Sequence, residues 1–490
     1  MNGIRGLYKE LRVICSAIAI VACGVAPATA ANETGRTASV WMTTADGKQR
    51  LERLADLPIA AIGATGTVIR VDPSRQYQEI AGFGASITDS SAWLIRRKLA
   101  PKQRAALLRE LFDRDNGLGL GLTRITIGAS DFSRTQYSYD DMPLGQTDPK
   151  LRKFSLAVGG REVLPLVRQA MEINRDLRVF ASPWSAPGWM KTTDSLVKGT
   201  VKPEYYAAFA QYLARYVTAV SAQGIPVFAV TIQNEPHFEP ENYPGMHMNP
   251  SERADFVAGH LGPLFAKKRI GTRILDWDHN WDQPESPLAV LSRPDAARFI
   301  AGTAWHCYAG DVAVQSRVHQ AFPDKETWFT ECSGGGWQPD WGETLGWMTK
   351  NLIIGSTRHW AKGIILWNLA LDEKSGPHLG GCGNCRGVVT INQADGEVTR
   401  NVEYYALGHA SKFVRAGARR IESDTGIGGI ETVAFRNPGR GTLVLIALNT
   451  SNQSQIVSIA SGSDNITTPM PAGSVATFVW KSGIRQSVGG

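Results

Sequence analysis

The 490-residue sequence lacks the marks of several large protein classes. No lysine and arginine block with interleaved aromatics is present, which argues against nucleic acid as a partner. Beyond an N-terminal run, no stretch approaches about 18 uninterrupted apolar residues, so no stable membrane span is expected. The triplet Gly334-Gly335-Gly336 is followed by no Lys-Ser/Thr, which excludes a phosphate loop and leaves a turn passing close to a ligand. No internal repeat and no low-complexity linker breaks the chain. His237, Glu239, Glu241 and His247 look ligand-rich, but their spacing fits no metal motif, and a loop over a binding site explains them better.

The N-terminus carries Arg5, Lys9 and Arg12, then the apolar run Val13 to Val25 and the small-x-small site Ala28-Thr29-Ala30. This predicts a secretory signal peptide over residues 1–30 and a secreted or periplasmic protein. Ile20-Val21-Ala22-Cys23 would also pass as a bacterial lipoprotein signal, with lipid on Cys23; the conventional site is preferred. Removing residues 1–30 lowers the formal charge from +7 to +5, a balance compatible with a neutral or weakly acidic glycan. Cysteine is scarce, and only Cys307, Cys332, Cys382 and Cys385 remain. In an exported protein the closely spaced Cys382 and Cys385 read as a local disulfide, and no second ligand pair suits zinc. Cys307 and Cys332 each end an apolar run and are read as buried free thiols.

The remainder is ordinary globular sequence, 43% apolar and 20% charged, with 14 Trp and 50 Gly. Tryptophan in such number suits sugar stacking, although it is more often core. Between about residues 80 and 370, short apolar runs alternate with helix-sized segments. The strand candidates are Ile80–Ser86, Leu122–Ile127, Arg178–Ser182, Val227–Thr231, Thr272–Asp276, Gly302–His306, Glu326–Thr330 and Gly363–Asn368. Eight strands so spaced predict an α/β fold, a (β/α)8 barrel. Pro203–Ala222 shows apolar residues at three and four, the period of a helix. Beyond Ala416 short runs punctuated by Gly, Asn, Ser and Pro read as a β-sandwich, which the strand-like N-terminal segment is expected to join. The expected domains are residues 31–78 as the N-terminal part of the sandwich, 79–404 as the barrel and 405–490 as the C-terminal sandwich.

Two apolar, β-prone runs end in a glutamate: Val230-Thr231-Ile232-Gln233-Asn234-Glu235-Pro236 and Trp328-Phe329-Thr330-Glu331. An unpaired carboxylate at a buried strand end is costly. Two of them, placed after the fourth and seventh strands, converge over the mouth of the barrel where such folds keep their active sites. A proton donor and a nucleophile so placed suit glycosidic bond cleavage. Arg124, Asp131, Trp184, His306 with Tyr308, and Trp367-Asn368 join them at the other strand ends. Arg124 reads equally as an architectural ion pair, and Trp184 also as core.

With Gly82-Phe83-Gly84-Ala85-Ser86-Ile87-Thr88-Asp89, Ala181-Ser182-Pro183-Trp184-Ser185-Ala186-Pro187, Trp305-His306-Cys307-Tyr308 and Leu407-Gly408-His409-Ala410-Ser411, the chain resembles glycoside hydrolase family 30, the glucosylceramidase-like retaining β-glycosidases. The resemblance implies a barrel with a side sandwich and a two-step mechanism without cofactor or metal. It implies Glu235 as acid/base and Glu331 as nucleophile, with Glu235 kept protonated by the charge of Glu331. It further implies sugar contacts from Asp131, Trp184, Asn234 and Trp367, and a shell of Arg124, His306 and Tyr308 around the nucleophile. The loops after Glu331 and after the eighth strand depart from the glucosylceramidases. A β-1,6-glucan, another β-glucoside or glucosylceramide therefore all remain as substrates, beside a xylan-active member or a non-catalytic glycan-binding protein.

Overall fold

The computed structural model describes residues 33–482 apart from positions 62 and 440; the expected leader with Cys23 lies outside the described residues. Eight parallel strands form a closed barrel. They are β1 (Gly82–Ser86), β2 (Leu122–Ile127), β3 (Arg178–Pro183), β4 (Val227–Thr231), β5 (Arg273–Asn280), β6 (Ile300–His306), β7 (Glu326–Glu331) and β8 (Ala361–Asn368). The barrel shuts where β8 pairs with β1, Gly363 opposite Gly82 and Asn368 opposite Ser86. Because both faces of each strand are covered, they read as near-continuous apolar runs, which is why sequence alone could find them. Gly84 marks the tightest approach: a Cβ there would lie 1.7 Å from the Leu122 carbonyl oxygen. One end of the barrel is filled by Leu122, Phe180, Leu275, Trp328 and Ile365. The other end is polar and carries the site.

β5 runs to Asn280, beyond the expected end at Asp276, and this extension delivers Asp278 and His279 to the mouth. The helical period over residues 203–222 yields a 3₁₀ turn, Pro203–Tyr205, and the α-helix Tyr206–Ala222. Its Phe209, Tyr212 and Tyr216 are buried against the barrel.

The sandwich is built from both ends of the chain. Glu33–Thr43 pairs with Val475–Lys481 in one layer and with Leu57–Ala60 in the other. Thr67–Ile80 likewise joins the layers, antiparallel to Ala418–Ser423 and parallel to Gln455–Ser461. Val40, Ile69, Leu445, Ile459 and Phe478 form its core. His409, on the helix Val402–Ser411, couples the two units: its ring nitrogens bond Thr477 Oγ1 at 2.9 Å and Thr43 Oγ1 at 2.8 Å.

The cysteines require a correction. Cys307 and Cys332 are not free thiols but a disulfide, with Cα atoms 5.4 Å apart. The parallel ladder pairs His306 with Glu331, so the residues that follow stand side by side. That register is invisible to a reading that takes the strands singly. Cys382 and Cys385 form the expected local disulfide. Gly334-Gly335 is no free turn, but a two-residue strand paired with Cys385–Arg386.

Candidate active site

Glu235 follows β4 and Glu331 ends β7, and one oxygen of each, together with a nitrogen of His306, lies within 4.8 Å of the others. Local backbone geometry aims them. Glu235, Trp277 and Asp278 all have positive φ (46°, 76° and 52°), a conformation rare outside glycine. Glu235 donates its amide to the Asp278 carbonyl at 3.0 Å, and Asn234 donates to the Pro183 carbonyl at 2.9 Å. These bonds hold strained residues where the site needs them.

Arg124, wholly buried on β2, organises the floor. Its guanidinium donates to Glu331 Oε2 at 2.6 Å, Asn234 Oδ1 at 2.7 Å and Asp278 Oδ2 at 2.7 Å. It also stands 4.6 Å from the Trp184 ring centroid. Trp184 in turn stacks on Trp367, with centroids 5.0 Å apart and planes 15° apart. The second oxygen of Glu331 accepts from the Tyr308 hydroxyl at 3.0 Å. His306 instead spans Glu235 (Nδ1 to Oε1, 3.1 Å) and Asp278 (Nε2 to Oδ1, 3.0 Å). Of the residues expected around the nucleophile, Arg124 and Tyr308 touch it, while His306 touches the other glutamate.

Asp278 is the member that sequence reasoning missed. Its carboxylate accepts from Arg124, His306, Ser182 (2.6 Å), Thr231 (2.7 Å) and Thr330 (2.7 Å). Against the lift of burial, the Arg124 charge and these bonds hold it far below the usual carboxylate range. The available signal was a second aspartate two residues past Asp276, at a strand end facing the glutamates.

Burial lowers the basicity of His306, but the Glu331 charge and the bonds to Asp278 and Glu235 outweigh it, raising its pKa from 6.5 to about 9. The ring is thus an imidazolium. With both nitrogens donating, it has no lone pair for a cation. Burial lifts Glu235, yet the His306 bond and the charges of His279, His306 and Arg124 leave it below its usual range. At Glu331 burial prevails, with the Glu235 and Asp278 charges adding against His306 and Arg124, and the carboxyl lies above its usual range. The expected lift of Glu235 by the charge of Glu331 is opposed by the cation at its side. The expectation counted the two carboxylates and omitted the cation beside one of them. Asp131 is raised well above its range by burial and by the charges of Glu331 and Glu235. Its Oδ1 is buried without a hydrogen-bond partner.

A cleft of about 980 Å3 opens over these groups, lined by Asp131, Trp184, Asn234, Glu235, Glu331 and Trp367. Its rim holds every strongly exposed aromatic side chain among the described residues: Phe238, Tyr308, Trp337 and Trp347, between 43% and 54% accessible. Gly335 makes room for one of them, since a Cβ there would lie 2.1 Å from the Trp337 ring. Asn242, Asn280, Gln338 and Glu343 stand among these rings. The ligand-rich cluster serves the loop instead: His237 bonds Gln283, Glu239 accepts from the Gly199 amide, Glu241 pairs with Lys198, and His247 stacks on His237.

Comparison with known proteins agrees with this architecture. Residues 80–414 match the glycosyl hydrolase family 30 TIM-barrel domain, and residues 417–478 match the beta sandwich domain of the same family. An endo-1,6-β-D-glucanase of Trichoderma harzianum is 34% identical over 431 residues, covering 83% of this chain and 85% of the relative. The lysosomal acid glucosylceramidase of Mus musculus is 29% identical over 476 residues, covering 88% of each. Among solved structures, the endo-β1,6-glucanase BT3312 superposes with a TM-score of 0.84 at 32% identity, over 91% of this chain and 100% of that one. Sharing both folded units with one family, in order and over nearly their full length, the chain belongs to glycosyl hydrolase family 30.

Proposed function

We propose that this protein is an exported retaining β-glycosidase that cleaves β-D-glucosidic bonds in two displacements, with a β-1,6-glucan as its substrate. The observation that carries the mechanism is the separation of the two glutamates, within 4.8 Å between one oxygen of each. Retaining enzymes hold their carboxyls about 5–5.5 Å apart, whereas inverting ones need about 6.5–9.5 Å to admit water. In the first step Glu331 attacks the anomeric carbon, and Glu235 gives its proton to the departing oxygen. In the second, Glu235 takes a proton from water, which displaces Glu331 from the sugar. The reaction needs the proton shared by this coupled pair to sit on Glu235. A glycosidic oxygen that accepts from Glu235 favours that state, because hydrogen bonding to the neutral form opposes ionisation. Arg124 and Tyr308, one donor on each oxygen of Glu331, orient the nucleophile. The unpartnered Oδ1 of Asp131 suits a sugar hydroxyl, and Trp184 and Trp367 offer faces for the ring.

Relatives act on β-1,6-glucan or on glucosylceramide, as their names state. The rim favours the glucan: separate aromatic faces with carboxamides and a carboxylate between them suit successive sugar rings, and an acyl chain would prefer continuous apolar walls. Two disulfides and the leader-like N-terminus support export. The test is Glu331→Gln and Glu235→Gln on an aryl β-glucoside with a good leaving group. The first should be almost inactive, and azide should restore turnover to the second. Activity retained by Glu331→Gln, or an inverted first-formed anomer by NMR, would overturn the mechanism. Cleavage of glucosylceramide in preference to β-1,6-glucan would overturn the substrate.

A further inference from the structure

We propose that the Cys307–Cys332 disulfide is a positioning device for catalysis, locking Tyr308 against Glu331 so that turnover depends on the oxidised state of this pair. The inference rests on the retaining reading above, in which Glu331 is the nucleophile.

The bond sits where the barrel stops holding its strands together. His306 opposite Glu331 is the last pair of the β6–β7 ladder, and the disulfide joins the next residue of each strand. Beyond it the chains part: one bends toward the helix Val314–Ala321, and the other enters the short strand Gly334–Gly335. Tyr308 is the first residue past the crosslink on the β6 side, and it lies half-exposed at the mouth. Two hydrogen bonds hold it, its amide to Asn280 Oδ1 at 3.1 Å and its hydroxyl to Glu331 Oε1 at 3.0 Å. Both are at the edge of an open cleft, where water competes for the same groups. An exposed side chain so held exchanges rotamers rapidly, so the share of time its hydroxyl spends on Glu331 depends on how closely the backbone keeps it in reach. The covalent tie supplies that fixation one residue away from both Tyr308 and Glu331.

The same tie extends to a third strand. The Cys332 carbonyl accepts the Trp367 amide at 2.8 Å, so the crosslinked residue also fixes the end of β8 and the ring that stacks on Trp184. The Cys382–Cys385 bond differs: it closes three residues of sequence within one loop and joins no two barrel strands. Cys332 is buried, but Cys307 is partly exposed and lines the cleft, so a small reductant entering the mouth can reach the bond. Reduction by a phosphine converts the disulfide to two thiols: phosphorus gives two electrons and becomes the phosphine oxide with the oxygen of one water, whose two protons go to the sulfurs.

The test uses a Cys382→Ser/Cys385→Ser background, in which Cys307–Cys332 is the only crosslink among the described cysteines, and compares it with and without added Cys307→Ser/Cys332→Ser. Expected on an aryl β-glucoside is a kcat lower by about 10- to 100-fold, the scale of one lost donor to a charged group, with KM changed far less. The acid limb of the pH profile should move up by about one pH unit, because Glu331 loses a bond that favours its ionised form. Tyr308→Phe alone should reproduce the limb shift, and adding the serines to Tyr308→Phe should do little more. An unchanged kcat and acid limb, or additive effects of the serines and Tyr308→Phe, would overturn the proposal. Should the serine variant fail to fold, tris(2-carboxyethyl)phosphine treatment of the background protein replaces it, with thiols counted and near-UV circular dichroism recorded. Activity must then fall with reduction and return with reoxidation; full activity with both thiols free refutes the idea. An active Glu331→Gln would instead sink the underlying nucleophile assignment, so the two failures remain distinct.

Discussion

The imidazolium at the centre of the site makes a quantitative prediction about stability. His306 is wholly buried between Asp278 and Glu235, at 3.0 and 3.1 Å. Its pKa rises from 6.5 to about 9. At about 1.4 kcal/mol per pH unit this rise corresponds to roughly 3 kcal/mol of folding free energy. For a base raised on folding, that contribution is complete below pH 6.5 and is lost as pH climbs through about 9. Asp278→Asn keeps the shape and removes the charge, so His306 should fall back toward its ordinary value. The variant also strips Arg124 of one of its two anionic partners, which by itself costs about 3–5 kcal/mol. Urea unfolding of both proteins from pH 6 to 10 is the assay. Lys191, lowered to about 7 by burial, gives an opposite slope in the same window, but it is present in both proteins and cancels in their difference. His279 and His409, lowered to about 4 and about 3, contribute near pH 6.5 where the unfolded chain titrates, and being present in both proteins they cancel as well. The stability gap between wild type and Asp278→Asn should be widest at pH 6 and shrink toward pH 10 by a part of that roughly 3 kcal/mol, since the Glu331 charge and the Glu235 bond still act on His306 in the variant. A gap that stays constant across that range would mean that Asp278 does not help to hold His306 as a cation, and the reasoning would fail.

Two further outcomes follow from the cleft. Asp131 carries a raised pKa, so its ionised form destabilises the fold at neutral pH. Asp131→Asn should keep or raise the melting temperature while kcat/KM drops by about 10- to 150-fold for loss of a charged hydrogen bond to the sugar; a coupled loss of both would make the residue structural. Trp337→Ala and Trp347→Ala should each raise KM for β-1,6-glucan by about 3- to 10-fold more than for an aryl β-glucoside, the scale of one aromatic stacking contact. Equal effects on polymer and aryl glucoside would remove these rings from chain binding.

How much of this was legible beforehand depended on whether the signal lies within one strand or between two. The eight barrel strands are buried on both faces and announce themselves as apolar runs, so Glu235 and Glu331 could be set at the ends of the fourth and seventh. Arg124 was visible as a charge inside such a run, though only the structure shows it serving Glu331 and Asp278 together. What stayed hidden depends on register and strand length. Cys307 and Cys332 meet because His306 pairs with Glu331, and no property of either segment alone carries that pairing. Asp278 escaped because polarity after Asp276 resembles the end of a strand, whereas β5 continues through Asn280. The pull of His306 on Glu235 was hidden for the same reason, since that ring arrives from a different strand.

The way the sandwich is assembled bears on the order in which the molecule can be made. Its first strand, Glu33–Thr43, takes as partner Val475–Lys481, among the last residues described, and Val475–Lys481 also pairs with Thr442–Asn449. A ribosome delivers the first of these more than four hundred residues before the second, with the whole barrel between them. Contacts at such sequence separation form slowly, and an unpaired strand edge invites pairing with other chains. The early strands must therefore wait, while the barrel can begin to close as its own residues emerge. Synthesis that stops after the barrel leaves Glu33–Thr43 with only its short pairings to Glu52–Arg53 and Leu57–Ala60, and His409 loses the Thr477 that anchors the junction. Val475–Lys481 thus closes the sandwich: only once it has emerged can the strand Glu33–Thr43 fill its longer edge.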